Sequence, residues 1–196
     1  MNKIYIYGAS GHGIVLADIA ETCGYKEIVF VDDNGDITFD MIKNDTDIPI
    51  VIAVGKNSIR EKLYKKAKES GFAIATLAHS SAIISPSAII GDGVVVMPNV
   101  VVNAKAHIGD GAILNTACVI EHECKIGDFA HISPNVALAG NVTVGSLTHI
   151  GIGSSAKQGV VVGKNSIIGA GSVIVADIEN DKIAYGNPCK VEKDNI

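Results

Sequence analysis

Tryptophan is absent from this chain of 196 residues, and aromatic side chains make up only 5% of it. That scarcity of large rings, with 21 glycines and a hydrophobic content of 47%, suits a thin prism packed with Val, Ile and Ala. The formal net charge is −5, with no run of Lys or Arg and no basic stripe interleaved with aromatics, which excludes nucleic acid as an expected partner. No apolar stretch approaches a membrane span. The opening segment MNKIYIYGAS reaches a glycine turn too soon for a secretory leader, so a cytoplasmic protein without membrane insertion is expected. Cys23, Cys118, Cys124 and Cys189 have no metal-ligand spacing, and no other cluster supplies it, so no metal is expected.

What the chain does have is a count of six. From Ile84 to Ile174, every sixth residue is a branched aliphatic, with Ala156 the one departure. The residue four places after each is usually small, as at Ala88, Ala106, Ala112, Cys118, Cys124 and Ala130. This is the hexapeptide pattern of a parallel β-helix, in which each hexad gives one short strand and one corner around a shared apolar core. Three hexads complete a coil, so residues eighteen apart stand in one column. Cys118 and Cys124 take the small inward slot and read as core packing.

The corner Glu121-His122-Glu123 stands out because most other corners carry neutral or glycine-bearing turns such as GDG, GKN and GAG. Its imidazole points outward beside carboxylates, and Gly140, next in its column, leaves backbone exposed and room beside the ring. His131 and His149 share another column, with Ile113 below and Ile167 above; His107 heads a third that continues to Lys125 and Thr143.

Before the hexads the periodicity differs. Strands are expected over 3–7, 27–31, 48–54 and 73–77, helices over 11–23 and 58–70, and a short element at 39–42. Strands alternating with helices give a small parallel α/β sheet. The expected division is residues 1–80 for this unit and 81–196 for the β-helix with its C-terminal tail. Gly8-Ala9-Ser10-Gly11-His12-Gly13 leaves a strand and opens a helix, turning backbone N–H groups toward an anion. Its spacing is not GxGxxG, which disfavours NAD. Asp32 and Asp33 end the next strand and Gly55 the one after, so three strand ends converge on one crevice. A unit of this size suits one nucleotide, and a nucleotide-sugar is the preferred ligand.

The segments IYIYGASGHG, FVDDN, IAVGKNSIR, ILNTACVIEHECKIGDFAHISPNVALAGNVTVG and GNPCK together resemble the bacterial nucleotide-sugar acetyltransferases of the sialic acid O-acetyltransferase type. The closest likeness is to the UDP-4-amino-sugar N-acetyltransferases of the bacillosamine pathway. The resemblance covers nearly the whole chain and implies a Rossmann-like domain followed by a left-handed β-helix, assembled as a homotrimer with acetyl-CoA between neighbouring prisms. It implies that His122 is the general base, Glu123 the acid supporting it, and Gly140 the backbone donor to the oxyanion. Ser10, Gly11, His12, Asp32, Asp33 and Gly55 match positions lining the nucleotide-sugar pocket. His131, Ile152 and Ala170 match acetyl-CoA contacts, the last two through backbone atoms.

The expected reaction is direct attack of the 4-amino group of a UDP-4-amino-4,6-dideoxy-N-acetyl sugar on the thioester of acetyl-CoA, with His122 taking the proton. A carboxylate beside an imidazole favours its protonated form and so strengthens it as a base. Three other readings stand beside this one: O-acetylation of a sialic acid, N-acetylation of another nucleotide-linked amino sugar, and a non-enzymatic trimeric scaffold that binds a nucleotide-sugar.

Overall fold

The computed structural model describes residues 2–195. Its N-terminal unit is a parallel three-stranded sheet in which β1 (Lys3–Tyr7) is central, flanked by β2 (Glu27–Val31) and β3 (Ile50–Ile52). Between the strands run α1 (Gly11–Thr22), the short α2 (Phe39–Ile42) and, after β3, α3 (Asn57–Glu69). Leu16, Ile19 and Ala20 form the buried stripe of α1, and Arg60, Tyr64 and Ala67 that of α3; both follow helical spacing. α1 and α3 each end where a glycine takes positive φ, Gly24 at φ 93° and Gly71 at φ 93°.

The segment 73–77, expected as a fourth strand of this sheet, divides its loyalties. Ile74 makes one parallel bridge to Ile50, and β4 (Leu77–Ala78) already pairs with Val95–Val96 in the β-helix. From there a parallel β-solenoid of about 6 turns rises. Its first face carries β4 and the strands from Val95–Val96 to Ile167–Ile168, its second those from Ile83–Ile84 to Val173–Ile174, and its third those from Ile89–Ile90 to Val161–Val162. Every pairing joins residues eighteen apart, as at Ile113↔His131 and His131↔His149. The hexad aliphatics point inward and are buried from Val96 onward, while Ile84 and Ile90 keep partial exposure. Each fully buried Ile, Leu or Val of that stack contributes roughly 1.5–3 kcal/mol.

The corners have a backbone period of their own. Every sixth residue from Gly93 to Gly171 has positive φ, which explains the glycines and asparagines there; Lys105, Ala117, Glu123, Phe129 and Leu147 take the same left-handed conformation without being either, Glu123 at φ 61°. After Ile174 the register tightens: Val162 bridges Ile178 and Ile167–Ile168 pairs with Ile183–Ala184, sixteen residues on. The tail then closes as a hairpin of Lys182–Tyr185 with Lys190–Asp194. Among the described residues no helix is long and apolar enough to cross a membrane.

The two units are packed together. Outward residues of the first face, Leu77, Val95 and Ile113, are buried, and the same cluster takes in Leu16, Ile19 and Ala20 of α1. Tyr64 of α3 meets Phe129 edge-on at 5.2 Å. Outward residues of the other two faces lack this cover; Ile83 and Ile89 are exposed.

Candidate active site and nucleotide-sugar pocket

The corner holding His122 lies on the edge between the second and third faces. His122 Nδ1 is 3.2 Å from Glu123 Oε2, and both side chains are about half exposed, 53% and 56%. A Cβ built on Gly140 would lie 2.5 Å from His122 Nε2, so any larger residue there would push the ring out of this position. The Gly140 N–H donates to no group among the described residues. Glu121 folds back to accept the His122 N–H at 3.3 Å. The imidazole is therefore oriented by a carboxylate on one nitrogen and presents the other beside a free backbone donor. The left-handed slot at position 123 disfavours any side chain by about 1 kcal/mol, so the backbone gains nothing from a glutamate there.

The nucleotide-side residues are spread over three linked places. Gly8, at φ 123°, cannot carry a Cβ because it would lie 2.6 Å from the Ala53 oxygen, and a Cβ on Gly13 would lie 2.1 Å from the Gly8 oxygen. These two glycines let the turn press against β3 and its own helix. Gly11 and Gly55 have open space instead, and Ser10, which caps α1, makes no side-chain cap bond. Asp32 accepts the Ala9 N–H at 3.2 Å and the Asn34 N–H at 2.9 Å, tying the second turn to the first. It also lines a cleft of about 500 Å³ with Phe30, Asp36 and Ile37. Asp33 is turned away. It accepts the Tyr7 hydroxyl at 2.5 Å and the Phe39 N–H at 3.1 Å, and Lys66 lies 3.4 Å from it. Burial alone would raise the Asp33 carboxyl, but those three donors overrule it and hold it below the usual range.

Gly55 lines a second cleft, of about 390 Å³, at the junction of the two units, with Lys56, Ser58, His149, Asn165 and Asn195. Beneath it lies a cluster of neutral imidazoles. His131 and His149 stack in parallel at 4.7 Å. His131 Nε2 is 3.1 Å from Asn115 Nδ2, and His149 Nε2 is 2.8 Å from Ser133 Oγ. Burial, then His149, Arg60 and His12, push the His131 imidazole down to about 3; burial and then Arg60 push His12 down to about 4. His131 Nδ1 and His12 Nε2 are buried without a partner.

His122, Glu123 and Gly140 thus come together, and His12 lies near His131 rather than at the free helix start. His131 does not meet Ile152 and Ala170 within one chain: it packs under the N-terminal unit, whereas they stand exposed on the edge between the first and second faces, one and two coils further along. The His122 edge and the junction cleft flank the third face from opposite sides. Sequence reasoning passed over Tyr7, Lys66, Asn115, Ser133 and, above all, Arg60, the chain's only arginine. Among the described residues, no group of three or more His, Cys, Asp or Glu side chains is placed to hold a metal ion.

Comparison with known proteins places this arrangement. Residues 3–67 match the family described as the PglD N-terminal domain. A UDP-N-acetylbacillosamine N-acetyltransferase of Bacillus subtilis (strain 168) is 34% identical over 112 residues, which span 50% of this chain and 52% of that protein; the match thus spans about half the length of this curated relative. PerB from Caulobacter crescentus, solved in complex with CoA and GDP-perosamine, is 34% identical, superposes with a TM-score of 0.94, and is matched over 98% of each chain. The acetyltransferase domain of PglB from Neisseria gonorrhoeae FA1090, solved with acetyl coenzyme A, is 40% identical with a TM-score of 0.92, over 97% of this chain and 99% of that one. With identity at this level sustained across both units, the chain belongs to the bacterial nucleotide-sugar acetyltransferases of the bacillosamine type.

Proposed function

We propose that this protein transfers the acetyl group of acetyl-CoA to the 4-amino group of a UDP-4-amino-4,6-dideoxy-N-acetyl sugar. The observation that carries the reading is the His122 corner: an imidazole held by Glu123 on Nδ1, with Nε2 against a glycine whose N–H is unengaged. In the reaction the neutral amine attacks the thioester carbonyl while His122 Nε2 accepts its proton. The Gly140 N–H donates to the oxygen of the tetrahedral intermediate, and collapse expels the CoA thiolate, which takes the proton back from the imidazolium. No acyl-enzyme forms; Cys118 and Cys124 are buried and their thiols are raised by burial, Cys118 to about 12.

Residues 1–80 are assigned to nucleotide-sugar binding through Ser10, Gly11, His12, Asp32 and Gly55, with Asp33 shaping the pocket through Tyr7. Residues 81–196 are assigned to acetyl transfer, with Ile152 and Ala170 offering backbone to acetyl-CoA. Uridine is taken over guanosine because the Bacillus subtilis relative is a UDP-N-acetylbacillosamine N-acetyltransferase. The proposed assembly is a homotrimer, supported by an apolar second face on which Ile83 is exposed and Val101, Val119 and Val173 are partly exposed. It would also let the His122 edge of one copy face a cleft of the next. His131 would serve acetyl-CoA only across such a boundary.

The test is thiol release from acetyl-CoA with matched UDP-linked and GDP-linked 4-amino sugars, and mass identification of the acetamide. Saturable release with the UDP-sugar is expected; release only with the GDP-sugar would overturn the base assignment, and release with a hydroxyl acceptor alone would move the reaction to O-acetylation.

A further inference from the structure

Arg60 is 1% exposed and makes no ion pair with an acidic side chain among the described residues. All its nitrogens are nevertheless engaged. Nε donates to the Gly111 oxygen at 2.7 Å, and Nη2 to the Phe129 oxygen at 2.7 Å and the Ala130 oxygen at 3.3 Å, all three on the prism. Nη1 turns back to the carbonyls of Val54 and Gly55, each at 3.0 Å, and Nη2 also reaches Asn57 Oδ1 at 2.9 Å. A planar fork with five N–H donors can span the two groups of acceptors; an ammonium cannot.

Burying a charge without a counter-charge is a poor route to stability. What the arrangement does supply is position. The Gly55 turn carries no side chain to anchor it, and a Cβ built there would meet nothing within 4 Å; Arg60 Nη1 holds its carbonyl and that of Val54. Asn57, one step into α3, adds a second tie by donating to the Leu147 oxygen at 2.8 Å. The junction cleft therefore has one wall from each unit, and Arg60 is the side chain that bonds to both at the Gly55 turn, with Asn57 beside it.

We propose that Arg60 is a positioning residue that fixes the Gly55 turn, and with it the nucleotide-sugar pocket, against the prism that carries the acetyl-transfer chemistry. This rests on the functional reading above. The experiment compares wild type, Arg60→Lys and the milder Asn57→Ala by varying the amino-sugar acceptor and acetyl-CoA separately, and by titrating UDP alone in a calorimeter. Arg60→Lys is expected to raise the acceptor KM and the UDP Kd roughly 10- to 100-fold, leaving the acetyl-CoA KM and the pH profile of kcat unchanged. Asn57→Ala is expected to move the same two constants in the same direction by less. Unchanged acceptor KM and UDP Kd in both variants would overturn the proposal, as would equal losses for acceptor and acetyl-CoA. If Arg60→Lys does not fold, weaker UDP binding in Asn57→Ala supports the proposal and unchanged binding overturns it. Because UDP binding needs no turnover, a wild type that binds UDP but transfers no acetyl would strike the functional reading alone.

Discussion

Lowering the pH from 7.5 to 5 should destabilise this protein through its buried imidazoles. His12 and His131 are held down to about 4 and about 3, chiefly by burial, whereas in the unfolded chain they titrate near 6.5. A depressed histidine favours folding fully above its unfolded pKa, and that contribution is lost as pH falls below it, because the unfolded chain takes up protons the folded one refuses. Integrated to pH 5, each of the two loses about 2 kcal/mol, so roughly 4 kcal/mol together, a large part of an ordinary stability of about 5–15 kcal/mol. His149, also lowered by burial and then by Arg60, adds in the same direction. The assay is urea unfolding followed by circular dichroism at both pH values, with His131→Gln as control, expected to lose about half as much stability on acidification as the pair does in wild type. Equal stability at pH 7.5 and 5, or an unchanged slope in His131→Gln, would refute the reasoning.

The left-handed corner separates chemistry from folding. Glu123→Gly relieves a backbone cost of about 1 kcal/mol, so its urea midpoint should hold or rise while kcat falls, and a fall in stability would contradict that account. The glycines of the first turn divide in the same way. Gly13→Ala, with its Cβ 2.1 Å from a carbonyl oxygen, should cost several kcal/mol and loosen the N-terminal unit; Gly11→Ala, in open space, should keep the fold and weaken UDP binding, as calorimetry would report.

The β-helix was legible because a period of six sustained over the whole prism has no other physical origin, and the EHE corner because it sets a histidine between two carboxylates where the other corners carry at most one charged residue. The first face was not. Outward columns on all three faces look alike in sequence, and only packing of the N-terminal unit makes Val95, Ile113 and His131 inward with respect to the molecule. Arg60 was hidden by its company: in NSIREKLYKK it reads as one cation of a solvated helix, yet Tyr64 and Ala67 continue its buried stripe. Asp32 and Asp33 are adjacent and alike as letters; alternation along the chain end sends one to the cleft and the other to Tyr7. Segment 73–77 was read as one strand because its apolar content is continuous, although the chain passes there from one sheet to the other.

The central claim is that His122 is the base of an acetyl transfer to a nucleotide-linked amine, and the most direct measurement is single-turnover acetyl transfer by His122→Ala beside wild type, with acetyl-CoA and the UDP-4-amino sugar both saturating. The account predicts that wild type forms the acetamide and that the variant, still binding both substrates, is slower by roughly 10²–10⁴-fold. A variant that acetylates the bound amine at the wild-type rate would contradict it.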